Sequence, residues 1–306
     1  MTLLVLYVFG NSLKTILPHV AVESKGRIDA NPVAWYTNSN RGGDNMYIPA
    51  SIKRHIGNQN GHLDDVGRSG AQVMVFNDMV LKIQPESAVT TNEHIMLKWL
   101  QGRIQVPELI EEASVDGKQY LLMSRVQGAH LCDANILDDQ HLLADLVAEG
   151  LVKLWSVNIV DCPSDRSLNR QFAEIEGRIR TGKVTRETAA QPETYGPGGF
   201  ESPAQLLDWL IKNKPKEELV LSHGDYCLPN VFAQGEKVCG FIDLGCAGIA
   251  DKWQDIETAV WSMWANTTGK FGGKCREFDR SLLFEALGMT PDEEKLRYYS
   301  LLSELF

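Results

Sequence analysis

Four residues of this chain have the types and spacing to do chemistry together: His223, Asp225, Asn230 and Asp243. Transfer of a phosphoryl group from a magnesium nucleotide to a hydroxyl requires a carboxylate to orient the attacking oxygen. It also requires an amide oxygen and a second carboxylate to hold the metal against the phosphates. Asp225, Asn230 and Asp243 supply those three groups. A capping aspartate at a strand-to-turn transition would explain His223-Gly224-Asp225 by itself. It would not explain an amide and a further carboxylate at these fixed offsets.

Around these groups the pattern predicts the elements that must position them. Between Asn230 and Asp243 it reads as a hairpin: Val231-Phe232, a turn at Gln234-Gly235-Glu236-Lys237, and a mostly apolar strand over 238–242. Such a hairpin returns the second carboxylate to the first. Gly245 and Gly248 allow close backbone approach just beyond it. The offset from Asp225 to Asn230 matches the protein-kinase loop H-R-D-x-x-x-x-N, and Asp243-Leu244-Gly245 stands in place of D-F-G. Upstream, strands over 71–76 and 79–83 form a hairpin behind Gly67-Arg68-Ser69-Gly70, a loop able to cover phosphates with backbone N–H groups. Lys82 in the second strand resembles the kinase lysine of V-A-I-K. Glu93, at the start of an apolar helical stretch ending near Gly102, resembles its helix partner.

Further strands near 108–113 and 119–124 complete a five-stranded sheet, and residues 125–128 lead out of it. Ser124 and Val126 are the adenine-contact candidates by position. Ile48, Ile52 and Ile56 predict a short helix ending near Gly57, whereas residues 10–45, rich in Asn, Gly and Ser, read as irregular. Beyond the sheet the period turns helical in leucine- and tryptophan-containing stretches at 142–155, 206–211, 256–264, 282–287 and 296–305. Strands followed by helices predict an α+β, bilobal protein-kinase-like fold. Its small N-lobe holds a five-stranded antiparallel sheet with one helix, and its larger C-lobe is mainly helical. The expected division is an extension over 1–45, a nucleotide-binding lobe over 46–127, and a catalytic and substrate-binding lobe over 128–306.

A chain of 306 residues exceeds what one hydrophobic core usually holds, in keeping with two lobes. With 43% apolar and 23% charged residues it belongs with soluble globular proteins rather than disordered ones. The net charge of −10 arises in the C-terminal part: residues 1–130 carry 12 acidic and 12 basic side chains, residues 131–306 carry 28 and 18. Such a field draws cations and repels nucleic acid and anionic membranes, so neither is expected as a partner. Six cysteines without a C-x-x-C pair or a histidine grouping argue against a zinc site or a disulfide framework, and for a cytoplasmic protein. The apolar run at 3–9 has no preceding Lys or Arg and is too short for a membrane span.

HGDYCLPN (223–230), GFIDLGCAGIADKWQDI (240–256) and YYSLLSELF (298–306) resemble the aminoglycoside 3'-phosphotransferases, the kanamycin kinases. The resemblance also takes in MLKWLQGRIQVPELI (96–110), LLMSRVQG (121–128) and DCPSDRSLN (161–169). It spans residues 46–306 and leaves 1–45 as an addition to the family's domain. It implies ATP and Mg2+ as cofactors and the 3'-hydroxyl of an aminoglycoside such as kanamycin or neomycin as acceptor, conferring antibiotic resistance. By position, Asp225 resembles the catalytic aspartate, Asn230 and Asp243 the magnesium ligands, Lys82 the phosphate-binding lysine, Glu93 its partner, and Ser69 the phosphate-loop serine. Glu304 and the carboxylate of Phe306, with Glu187 and Glu193 in a loop between helices, resemble groups that bind the amines of the substrate. Asp251 and Asp255 resemble braces of the catalytic loop. A monomer or weak dimer is expected.

The chain departs from a close relative in having Ser303 for Asp, Cys246 for Arg and Val80 for an adenine-stacking Tyr. Lys183 and Arg186 also stand in a loop that is densely acidic in relatives. These departures imply a thinner carboxylate cluster and a narrowed or shifted specificity. The alternatives are a kinase of the same fold acting on another hydroxylated metabolite, such as choline or a sugar, and a binding protein with an inactive kinase fold. A protein kinase is disfavoured, because only eleven residues separate Asp243 from Asp255, too few for an activation segment, and no A-P-E follows.

Overall fold

The computed structural model describes residues 35–37, 45–63, 71–186 and 191–306. The chain passes through two short paired strands, β1 (Trp35–Thr37) and β2 (Asn45–Tyr47), into helix α1 (Ala50–Ile56). Strands β3 (His62–Leu63), β4 (Gln72–Val75) and β5 (Met79–Pro85) follow, then helix α2 (Ala88–Leu100) and strands β6 (Leu109–Val115) and β7 (Lys118–Ser124). Next come β8 (Ala129–His130), α3 (Ala134–Leu137), α4 (Gln140–Trp155), α5 (Leu168–Arg180) and α6 (Pro203–Lys212). The last elements are β9 (Leu219–Ser222), β10 (Val231–Gln234), β11 (Lys237–Phe241), β12 (Gly248–Asp251), α7 (Lys252–Thr267), α8 (Ser281–Leu287) and α9 (Glu293–Ser303).

The chain divides into two compact units. One runs up to Glu86 and takes in Ile110–Met123; the other holds Ser87–Leu109 and Ser124–Phe306, and so includes α2. In the first, the five-stranded antiparallel sheet expected from sequence is present, in the order β3-β4-β5-β7-β6. Ile52 and Ile56 on one face of α1, and Ile48 just ahead of its N-cap Pro49, bury in one cluster with Met74, Leu81, Ile83, Tyr120 and Leu122 of that sheet. Gly57, at φ 61, stops the helix where a side chain would be strained. The β4–β5 turn closes with the Phe76 N–H on Met79 O at 2.8 Å and sets Val75 opposite Val80.

Two features differ from the expectation. The fifth strand is the two-residue β3, and β1 pairs with β2 across a segment read as irregular; strands of two or three residues are too short to show a period.

In the larger unit, the predicted helices at 142–155, 206–211, 256–264, 282–287 and 296–305 correspond to α4, α6, α7, α8 and α9. Helix α5 was not foreseen, because Arg and Glu surround its buried Leu168, Phe172 and Ile175. Helix α4 buries Leu143, Leu146, Val147, Leu151 and Leu154, and its Gly150 leaves room for Tyr226. The Tyr226 hydroxyl donates to Val147 O at 2.9 Å, and a Cβ at position 150 would lie 2.0 Å from that hydroxyl oxygen. Gly150→Ala is therefore expected to destabilise by about 1–3 kcal/mol, although alanine favours a helix by roughly 1 kcal/mol over glycine. Urea unfolding midpoints check it; a midpoint that rises would refute the packing argument.

Candidate active site

Strands β9 and β12 pair antiparallel with Ser222 opposite Gly248, and the chain leaves β9 at His223. Asp255, fully buried in the first turn of α7, receives this departure. Its carboxylate accepts hydrogen bonds from Ser222 Oγ at 2.9 Å, the His223 N–H at 2.7 Å and the Gly224 N–H at 2.9 Å. Gly224 has φ 76, and a Cβ there would lie 2.1 Å from the Cys246 carbonyl oxygen. Only glycine lets this turn press against the segment that follows Asp243. Asp251 braces from the other side: it accepts from the Glu218 N–H at 3.2 Å and the Tyr299 hydroxyl at 2.7 Å, and pairs with Lys295 at 3.3 Å. Asp255 thus braces the catalytic loop as expected, whereas Asp251 differs from the expectation: its bonds go to Glu218 ahead of β9 and to Tyr299 and Lys295 of α9 instead of to the loop.

The loop then places three groups together. Asn230 Nδ2 donates to the Asp225 carbonyl at 3.0 Å and to Asp225 Oδ2 at 3.2 Å, while the Cys227 thiol donates to Asp225 Oδ1 at 3.0 Å. Both carboxylate oxygens of Asp225 are thus oriented by neighbours. Hairpin β10–β11 forms as predicted, with Val231 opposite Phe241 and Gly235 in the turn at φ 62. It returns Ile242 to the loop: its N–H donates to Asn230 O at 3.0 Å, and its carbonyl accepts from His223 Nε2 at 3.0 Å in the tautomer protonated there. Asp243 follows directly, in the left-handed region at φ 61 and ψ 56. For a non-glycine residue that conformation costs on the order of 1–3 kcal/mol and collects at functional sites.

Burial, and next the charge of Asp243, push the proton affinity of Asp225 up. Burial, and next Asp225, push the Cys227 thiol well up, which keeps it a neutral donor.

The other predicted residues are placed as follows. Lys82 is buried in β5 opposite Val73, and Glu93 is buried in α2; they belong to different compact units. Ser124 exchanges hydrogen bonds with Glu108: its N–H donates to Glu108 O and its hydroxyl accepts from the Glu108 N–H, both at 2.8 Å. Val126 packs against Gly240, where a Cβ would lie 2.6 Å from its Cγ1. Glu304 is buried and accepts from the Gln191 N–H at 3.2 Å, and the Arg178 guanidinium lies 6.0 Å over the Phe306 ring. Ser69, Glu187 and the side chain of Glu193 lie outside the described residues. A cavity of about 740 Å³ is lined by Gln191, Phe200, Trp209, Arg297 and Ser300 among others, and none of its described lining residues is a predicted site residue.

Sequence reasoning missed two groups. Asn92 on α2 donates to the carbonyls of Gly245 and Ala247, and its only signal was adjacency to Glu93. Glu257, a lone acid two residues past Asp255, is pushed up to about 7 by burial and by Glu304, against a hydrogen bond from Ser300.

Residues 64–299 match the model of the phosphotransferase enzyme family. The chain belongs to that family. It is 38% identical over 216 residues to an aminoglycoside 3'-phosphotransferase of Enterococcus faecalis, covering 70% of this chain and 78% of that one. To the aminoglycoside 3'-phosphotransferase of Niallia circulans it is 34% identical over 212 residues, covering 69% and 76%. Among solved structures, an aminoglycoside-3'-phosphotransferase of type VIII superposes with a TM-score of 0.67 at 24% identity, covering 84% of this chain and 97% of that one. An aminoglycoside phosphotransferase from Streptomyces rimosus gives 0.67 at 21% identity, covering 83% and 95%. These likenesses show that this phosphotransferase has the kinase-like fold of those proteins.

Two outcomes follow for the phosphotransferase. Asp255→Asn puts an amide N–H₂ where donors converge, so it should cost about 1–3 kcal/mol of stability and lower turnover at least roughly tenfold as the loop relaxes; melting curves and initial rates read the two effects. Glu257 binds its proton more tightly folded, near pH 7, than unfolded, near 4.5, so its stabilising contribution is full below about 4.5 and is lost as pH rises through 7. Glu257→Gln should flatten that decline and unfold at a higher temperature than the parent at pH 8. An unchanged pH–stability curve would show that Glu257 does not titrate in this range.

Proposed function

We propose that this chain is an aminoglycoside 3'-phosphotransferase, which transfers the γ-phosphate of ATP to the 3'-hydroxyl of an aminoglycoside such as kanamycin or neomycin and so confers resistance. The observation that carries the reading is the joining of Asp225, Asn230 and Asp243 by one loop and one hairpin, in a chain 38% identical to a named enzyme of this activity. Asp225 orients the acceptor hydroxyl and takes its proton, a task suited to a carboxylate of raised proton affinity.

The donors present fit magnesium. Asn230 Nδ2 is committed to Asp225, which leaves its Oδ1, and Asp243 adds a carboxylate. Among the described residues no group of three or more His, Cys, Asp or Glu gathers to hold a metal by itself, and magnesium is commonly held by one or two protein oxygens beside phosphate oxygens and water. When bound, the metal neutralises charge on the nucleotide phosphates.

Lys82 is assigned to the same phosphates, with Glu93 as its counter-ion and Ser69 near the transferred group, and the backbone at Ser124 and Val126 to adenine. Glu304, Phe306, Glu187 and Glu193 are assigned to the ammonium groups of the drug, in keeping with the acidic C-terminal part. The division into lobes at 46–127 and 128–306 and the state of monomer or weak dimer belong to the same proposal. So does a cytoplasmic location, supported by six free cysteines. No helix among the described residues is long and apolar enough to cross a membrane.

A panel of aminoglycosides incubated with purified protein, ATP and magnesium tests the reading, with the phosphate located on the product. Kanamycin or neomycin should be modified at the 3'-hydroxyl, and Asp225→Asn should lower turnover by about 10²-fold or more. Transfer to choline or a simple sugar but to no aminoglycoside would overturn the assignment.

A further inference from the structure

Three consecutive carbonyl groups follow Asp243 at Gly245, Cys246 and Ala247, and each meets a fixed neighbour. Asn92 Nδ2 on α2 donates to Gly245 O at 3.0 Å and to Ala247 O at 2.9 Å. Between them, the Cys246 carbonyl presses on Gly224 of the catalytic loop, where a Cβ would come within 2.1 Å. A Cβ on Gly245 would lie 2.6 Å from Val89 Cγ1, also on α2. Residues 245–247 are therefore wedged between α2 and the Asp225 loop, all within the same compact unit.

The turn's own backbone bond is Ala247 N–H to Leu244 O at 3.1 Å, and it begins on a left-handed, non-glycine Asp243. Such a conformation persists only where its surroundings over-determine it. A primary amide is well suited to the task, because one nitrogen carries two N–H groups and can serve two carbonyls at once. Aspartate has the same shape but would set oxygen against oxygen, and serine keeps one donor.

We propose that Asn92 is a positioning residue for Asp243: by clipping the backbone of the turn to α2 it holds the Asp243 carboxylate where a magnesium nucleotide requires it. This rests on the reading of Asp243 as a magnesium ligand. A residue acting on the turn should alter the metal-dependent part of nucleotide binding, whereas a residue that merely supports α2 should alter stability alone.

The test is calorimetric binding of ADP with and without magnesium to the full-length parent, Asn92→Ala, Asn92→Asp and Asn92→Ser, with hydrogen exchange on the same proteins. Asn92→Ala should weaken binding of ADP with magnesium about tenfold, the size of one lost hydrogen bond, and change magnesium-free binding less than about twofold. Amides at 244–247 should exchange faster, while those at 222–224, held by Asp255, keep parental protection. Asn92→Asp should lose more than Asn92→Ala, and Asn92→Ser should lie between parent and Asn92→Ala, which also covers an Asn92→Asp protein that does not fold. Parental magnesium dependence in Asn92→Ala, or equal weakening with and without the metal, would overturn the proposal. A parent that binds ADP with no magnesium dependence would instead sink the metal assignment of Asp243, and this inference with it.

Discussion

The carboxylate of Asp255 is the point from which the rest of the site is positioned. Three hydrogen bonds converge on it from consecutive residues, Ser222, His223 and Gly224. A buried carboxylate is costly unless donors surround it, and donors without it would be left unpaired. Each side of the interaction therefore requires the other. Its consequence is a sharp exit from β9, with glycine at φ 76, that sends Asp225 toward the hairpin instead of continuing the strand. Asp251 does the matching work at the start of α7, where Tyr299 and Lys295 of α9 tie the helix end to the C-terminal part of the chain.

On that frame the site is built under tension of two kinds. Burial, and next the charge of Asp243, raise the proton affinity of Asp225, so its ionised form is unfavourable for the folded protein alone and is suited to a cationic partner. Asp243 also occupies a left-handed conformation that glycine would hold more cheaply. Both costs are offset by backbone interactions outside the reacting groups: the Ile242 amide on Asn230, the His223 ring on Ile242, and the Asn92 amide on the turn that follows. Stability is given up locally where chemistry needs charge and strain, and is recovered in the surrounding hydrogen bonds.

Much of this was legible beforehand where it depended on short-range pattern. The β10–β11 hairpin, the spacing of Ile48, Ile52 and Ile56, and the helical stretch behind Glu93 each carry their own periodicity. What escaped was either too short or too charged to show a period: β3 and the β1–β2 pair have two or three residues per strand, and α5 hides its apolar face among Arg and Glu. Asn92 escaped for a different reason. Its partners are 153 and 155 residues away, and no local feature marks an asparagine in a helix as serving them.

By itself the sequence determined which groups are present and how the chain between them bends. Asp225, Asn230 and Asp243 are linked by a loop and a hairpin, and turn residues with alternating apolar strands encode those locally. Family membership is equally a property of sequence, carried by motifs along most of the chain. Tertiary structure decided how those groups are held: that Asp255 binds three backbone and hydroxyl donors, that Gly224 meets the Cys246 carbonyl, and that α2 clips the turn after Asp243. Contacts between residues far apart in the chain depend on which elements pack together, and packing depends on burial of the whole core, which no single segment encodes.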